Sequence, residues 1–165
     1  MPTTTPSPSS APGPSPRKSR TRADLDTLLV SVGGGGLIAG VAAWYQGRAR
    51  VLGVETEGCP TLHAAVRAGK PVDGAVAGIA ADLGAKRIGE CGFPVIRAHV
   101  AGSLLVSDGE IRNAQRRLWS LGRIVAEPGA AAGLAALLAG RYRPAGEHIG
   151  ITACGANTTA VDFDR

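Results

Sequence analysis

From Asp24 onward, short runs of aliphatic residues alternate with segments in which apolar positions recur at helical spacing. Aliphatic and β-branched runs bounded by Gly or polar residues read as strands, and the period-3.6 segments between them as helices. The pattern predicts strands over 27–32, 50–55, 104–107 and 148–154, and helices over 37–46, 61–68, 108–121 and 130–138. Ser107 followed three residues later by Glu110 has the form of a capping box, and Ile111, Ala114, Gln115, Leu118 and Leu121 then line one helical face. Glu127-Pro128-Gly129 opens an Ala-rich helix that Gly140 closes. No internal repeat is present. Strands alternating with helices predict an α/β fold, an open twisted mostly parallel sheet with flanking helices.

Composition narrows the picture. The chain has 165 residues, 44% of them hydrophobic, which is enough for one domain with a buried core. Aromatic residues make up only 4%, so Ala, Val, Leu and Ile must build that core. Residues 1–22 form a Pro/Ser/Thr tract without apolar periodicity, expected to be a disordered tail ahead of a domain spanning 23–165. The tail carries Arg17, Lys18, Arg20 and Arg22 and no acid, and it accounts for much of the net charge of +5. Without interleaved aromatics or a recognition module, this run reads as a solvated arm, not a nucleic-acid site. No continuous apolar stretch reads as a secretion signal or a membrane span, and the tail lacks the apolar face of an organelle transit peptide. Cys59, Cys91 and Cys154 are too scattered for a metal clip or redox pair, so a reduced, cytoplasmic setting is expected.

The chemistry concentrates at Gly33-Gly34-Gly35-Gly36, which joins the strand-like Leu28-Leu29-Val30 to a helical pattern beginning at Leu37. Glycines in this number forfeit backbone entropy with no packing in return, and they suit a turn that approaches a ligand closely or takes positive φ. Amides at such a turn, opening a helix, form a phosphate cradle. A flexible linker is the weaker alternative, since linkers are seldom flanked by patterned apolar residues. A dinucleotide reading also has support: Gly34-x-Gly36-x-x-Ala39 fits a relaxed fingerprint, and Glu55 stands where a ribose-binding acid is expected. Four consecutive glycines satisfy many spacings by accident, so other motifs must decide.

Val30 to Gly40, then Val51-Leu52-Gly53-Val54-Glu55, then Glu127-Pro128-Gly129-Ala130-Ala131-Ala132, then Cys154-Gly155-Ala156-Asn157 together resemble the serine/threonine dehydratases. The segments 78–89 and 106–111 resemble that family too. Its members are pyridoxal-phosphate (PLP) enzymes of the tryptophan synthase β-like fold, fold type II, and the resemblance covers the C-terminal half of such an enzyme. It implies that Gly33, Gly34, Gly35, Gly36 and Leu37 hold the PLP phosphate through backbone amides. It places Glu127 near the cofactor ring, although a helix-start residue interacting with the dipole explains Glu127 equally well. Cys154 falls where the family has a Ser, Thr or Cys beside the pyridine nitrogen, a weak partner suited to β-elimination. A small buried apolar role is the alternative for Cys154. Asn157 completes the turn after the last strand and is placed near the ring, though turn chemistry would also account for it.

This chain departs from the family pattern in several places. Ala156 replaces the second of two glycines usual before Asn157, which is expected to crowd the backbone there. Certain relatives bind a divalent cation through an acid at the end of the second strand and another six residues on; here those positions are Glu55 and Thr61. With one hard carboxylate missing, no magnesium or calcium site is expected, and His63 reads as an ordinary helix-surface residue. The family's catalytic lysine, which forms a Schiff base with PLP, lies in a Ser-x-Lys motif that this sequence lacks. Lys18, Lys70 and Lys86 do not share its context, so no catalytic residue is assigned. The resemblance implies dehydration of L-threonine or L-serine, a β-hydroxy amino-acid substrate, to a 2-oxo acid and ammonia, with the acid/base supplied from elsewhere. The second reading is a noncatalytic PLP-binding or interaction protein, and a nicotinamide-dependent fragment is a distant third. A half-sheet should leave an exposed edge and apolar patches that invite a homo-oligomer or a partner carrying the missing half.

Overall fold

The computed structural model describes residues 24–79 and 84–158. The expected tail over 1–22 lies outside the described residues, as does part of the 78–89 motif. Four strands, β1 (Thr27–Ser31), β2 (Arg50–Thr56), β3 (Val100–Val106) and β4 (Ile149–Ile151), form one sheet in the order β3-β2-β1-β4, with every pairing parallel. The helices are α1 (Gly36–Tyr45), α2 (Thr61–Ala68), α3 (Phe93–His99), α4 (Asp108–Gly122) and α5 (Pro128–Leu138).

The central strands explain their own composition. β1 is buried along its whole length and β2 along all but Arg50, because helices cover both faces; strands buried on both sides read as continuous apolar runs, not as alternation. Leu28, Val30 and Val51 face α1, α2 and α3, where they meet Ile38, Leu62 and Ile96. Leu29, Leu52 and Val54 face α4 and α5, where they meet Ile111 and the alanines of α5. Right-handed crossovers require this division. The chain steps from β1 to β2 to β3 in one direction with its helices on one face, then reverses across the sheet to β4 with α4 and α5 on the other.

α2 spans the residues that the pattern predicts, and the capping box of α4 forms as expected: Ser107 Oγ accepts from the Glu110 amide while Glu110 accepts from the Ser107 amide at 2.7 Å. α3 has no counterpart in the sequence pattern; it is a seven-residue helix with Pro94 in its first turn, too short to show a period. β3 begins at Val100, ahead of the expected start at Leu104, because this edge strand is only half-buried and carries little apolar contrast. β4 is correspondingly short, and the segment expected to extend it to Cys154 leaves the sheet after Ile151.

Several large apolar side chains are exposed. Trp44 is 70% exposed and Leu121 80%, and Leu121 lies with Ile124 and Leu138 around a groove between α4 and α5.

Candidate functional site

Reversal of the winding between β1 and β4 opens a crevice at the carboxyl ends of these neighbouring strands, the place where doubly wound sheets bind ligands. Both segments singled out by the sequence arrive there: the glycine run follows β1 and Cys154 follows β4. A cavity of about 190 Å³ lies between them, lined by Gly33, Gly34, Gly35, Gly36, Leu37, Glu127 and Cys154 among others. Asn157 does not line it; its backbone amide instead donates to Glu127 Oε2 at 3.0 Å.

The glycine loop turns on Gly35, which caps α1 at φ 86° and ψ −6°. A side chain there would be strained by the positive φ and crowded by Ile88, whose Cγ2 would lie 3.1 Å from a Cβ. No side chain caps α1 and no acid stands in its first turn, so its leading amides, which have no intrahelical acceptor, are available to a ligand. Loop carbonyls are engaged behind: Gly33 O accepts from Thr61 Oγ1 at 3.2 Å, Gly34 O from the Gly89 amide at 3.0 Å, and Gly35 O from the Ala39 amide at 3.0 Å. In a trans peptide the N–H points opposite to the preceding C=O. Each engaged carbonyl therefore aims the next amide away from its partner, and the loop presents donors.

Glu127 is the N-cap residue of α5, but its side chain makes no cap bond. Its amide donates to Gly155 O at 3.1 Å, and its carboxylate packs so closely on Gly155 that any Cβ there would overlap it. A side chain at Gly155 would displace the Glu127 carboxylate from this position. Ala156 has no positive φ, so its backbone takes a conformation open to a non-glycine residue. Cys154 is exposed at the cavity wall, which removes the reading of it as a buried apolar residue.

Sequence reasoning did not anticipate Ser31 and Thr56. Both line the cavity at the ends of β1 and β2, and both hydroxyls are buried without a hydrogen-bond partner. Only their positions at the carboxyl ends of adjacent strands could have signalled them.

Glu55 is 2% exposed and turned toward α2. That helix has Pro60 at its N-cap and no local side-chain cap; Glu55 caps it from β2, accepting from the Leu62 amide at 2.5 Å and the His63 amide at 2.9 Å, with Thr61 Oγ1 at 3.2 Å. Burial pushes the Glu55 carboxyl up to about 7, against the lowering effect of these bonds. The buried Cys59 thiol is pushed up by burial and then by the Glu55 charge. Both Glu55 oxygens are engaged by donors, and no cluster of three or more His, Cys, Asp or Glu side chains occurs among the described residues. His63 is not a plain surface residue: its Nδ1 lies 3.1 Å from Ser103 Oγ on β3.

The donors present suit a phosphorylated, ring-bearing cofactor: an amide cradle for the anion, with unpartnered hydroxyls, a carboxylate and a thiol around the rest of the cavity. Fold and site define a doubly wound α/β domain with an amide-lined crevice at its switch point. The family model described as pyridoxal-phosphate dependent enzyme matches residues 18–155, and the chain belongs to that family, whose cofactor is pyridoxal phosphate. It is 36% identical over 146 residues to the phenylserine dehydratase of Ralstonia pickettii, covering 86% of this chain and 45% of that protein. It is 40% identical over 119 residues to the biosynthetic L-threonine dehydratase of Haemophilus influenzae, covering 70% and 23%. Among solved structures it is similar to the processed form of threonine deaminase isoform 2 from Solanum lycopersicum, with TM-score 0.77, 28% identity and coverage of 84% and 42%. It is also similar to maize serine racemase, with TM-score 0.76, 31% identity and coverage of 84% and 45%. The fold is that of the fold type II PLP enzymes, and the chain spans less than half the length of these relatives.

No helix among the described residues is long and apolar enough to cross a membrane.

Proposed function

We propose that this chain forms the cofactor-binding half of a dehydratase that eliminates water from L-threonine or L-serine to give a 2-oxo acid and ammonia. The observation that carries this reading is the convergence of the uncapped glycine loop, Glu127 and Cys154 on one cavity at the switch point. Gly33 to Gly36 and Leu37 would hold the cofactor's phosphate by their amides, Glu127 would stand near its ring, and the Cys154 thiol would serve as a weak partner for the ring nitrogen. When bound, the cofactor supplies an electron sink that acidifies the substrate Cα–H and lets the β-hydroxyl depart. A thiol leaves the ring nitrogen largely unprotonated, which suits elimination over reactions that need deeper carbanion stabilisation. Asn157 acts indirectly, its amide fixing the Glu127 carboxylate.

The α-proton requires a base that these residues do not provide. Lys70 and Lys86 are exposed and line no part of the cavity, so the catalytic lysine and the substrate-carboxylate contacts are assigned to a partner segment equivalent to the other half of the relatives. Incubation with PLP, borohydride reduction and mapping of pyridoxyl-lysine by mass spectrometry test this. PLP retained without a stoichiometric lysine adduct is expected; a single full adduct on Lys70 or Lys86 would overturn the assignment of the lysine to a partner, and failure to retain PLP would overturn the cofactor site.

A further inference from the structure

The loop amides can cradle an anion only if their peptide planes are held, and one of those planes is held by a side chain from a distant element. Thr61, wholly buried at the start of α2, places Oγ1 3.2 Å from Gly33 O and 3.2 Å from Glu55 Oε1. Glu55 is anchored in turn by the Leu62 and His63 amides; with its carboxyl protonated it donates to Thr61 Oγ1, which leaves the single hydroxyl proton of Thr61 for the Gly33 carbonyl. Resting on the cofactor-site reading above, we infer that Thr61 is a positioning residue of the phosphate cradle: by engaging the Gly33 carbonyl it turns the Gly34 N–H toward the ligand.

The neighbouring planes show why this side chain matters. Gly34 O is held by the Gly89 backbone and Gly35 O by the first turn of α1, both independent of side-chain identity. Gly33 alone among these three depends on a side chain. A glycine peptide without such a restraint rotates freely, since no Cβ limits it, and a cradle that must be ordered on binding loses affinity. Glu55 and Thr61 thus link the end of β2, the start of α2 and the loop after β1 by hydrogen bonds.

The test compares the unsubstituted 165-residue chain with Thr61→Val and Thr61→Ser. Thr61→Val keeps the shape and removes the hydroxyl; Thr61→Ser keeps the hydroxyl. Hydrogen exchange of the ligand-free protein, read over a peptide spanning 31–38 against β2 as internal reference, should be about tenfold faster for the loop in Thr61→Val, which corresponds to losing one buried hydrogen bond of about 1.4 kcal/mol. Affinity for inorganic phosphate and for PLP should fall by a similar factor, and Thr61→Ser should restore both. A parallel rise in β2 exchange would show global destabilisation and overturn the specific role, as would unchanged loop exchange and phosphate affinity in Thr61→Val. If wild type itself binds neither phosphate nor PLP, the cofactor-site reading falls, while the exchange comparison still decides whether Thr61 orders the loop.

Discussion

Gly35 shows how much a single residue can decide. At φ 86°, with Ile88 and Ile96 behind it, it is the hinge on which β1 turns into α1. A β-branched residue at positive φ is strained by about 1–3 kcal/mol. Gly35→Val should lose that much unfolding free energy in urea titrations and should bind PLP at least tenfold more weakly by fluorescence. Glu55 gives a pH signature of definite sign. Its carboxyl is raised from 4.5 to about 7, so the folded state holds a proton that the unfolded chain has released. Its contribution to stability is full below about pH 4.5 and is lost as pH rises through about 7. A shift of this size corresponds to about 3 kcal/mol. Urea midpoints followed between pH 5 and 7.5 should fall with rising pH more steeply than in Glu55→Gln, which cannot ionise. An equal slope in the two proteins would show that other groups set the dependence.

At the scale of elements, α4 and α5 illustrate opposite sources of helix stability. α4 begins with a complete capping box and a polar outer face, so local chemistry defines it. Ser107→Ala should cost about 1 kcal/mol, read as a lower urea midpoint with unchanged slope. α5 carries no side-chain cap and is defined by burial, with Ala131, Ala135 and Ala136 fully inaccessible against the sheet. Alanine allows this close approach, so Ala135→Leu should overpack the face and cost about 1–3 kcal/mol by the same measurement. The two helices were legible for different reasons, α4 from its cap and amphipathic spacing, α5 from composition and its Pro and Gly boundaries. α3 was not legible, because seven residues between glycine and an edge strand carry too few positions to show a period.

For the whole molecule, the order β3-β2-β1-β4 is the decisive fact. It puts the switch point between β1 and β4 and so brings residues 33–37 to residue 154 across nearly the whole described chain. Away from that point, Leu121, Ile124 and Leu138 are exposed around one groove. Leu121→Lys should change the unfolding free energy by less than about 0.5 kcal/mol, because the side chain is already in solvent, yet reduce self-association in sedimentation velocity. The amino-acid sequence by itself determined the strand and helix alternation, the glycine turn and the capping box, because these depend on local dihedral preferences and periodicity. The motif order also pointed to the family. Tertiary structure alone decided that Glu55 caps α2, that Thr61 reaches the Gly33 carbonyl, that Asn157 serves Glu127 by its backbone, and that Ser31 and Thr56 open onto the cavity. Those relations join residues far apart in the chain or turn on which face of the sheet a side chain occupies, and they exist only once the sheet order has set which ends meet.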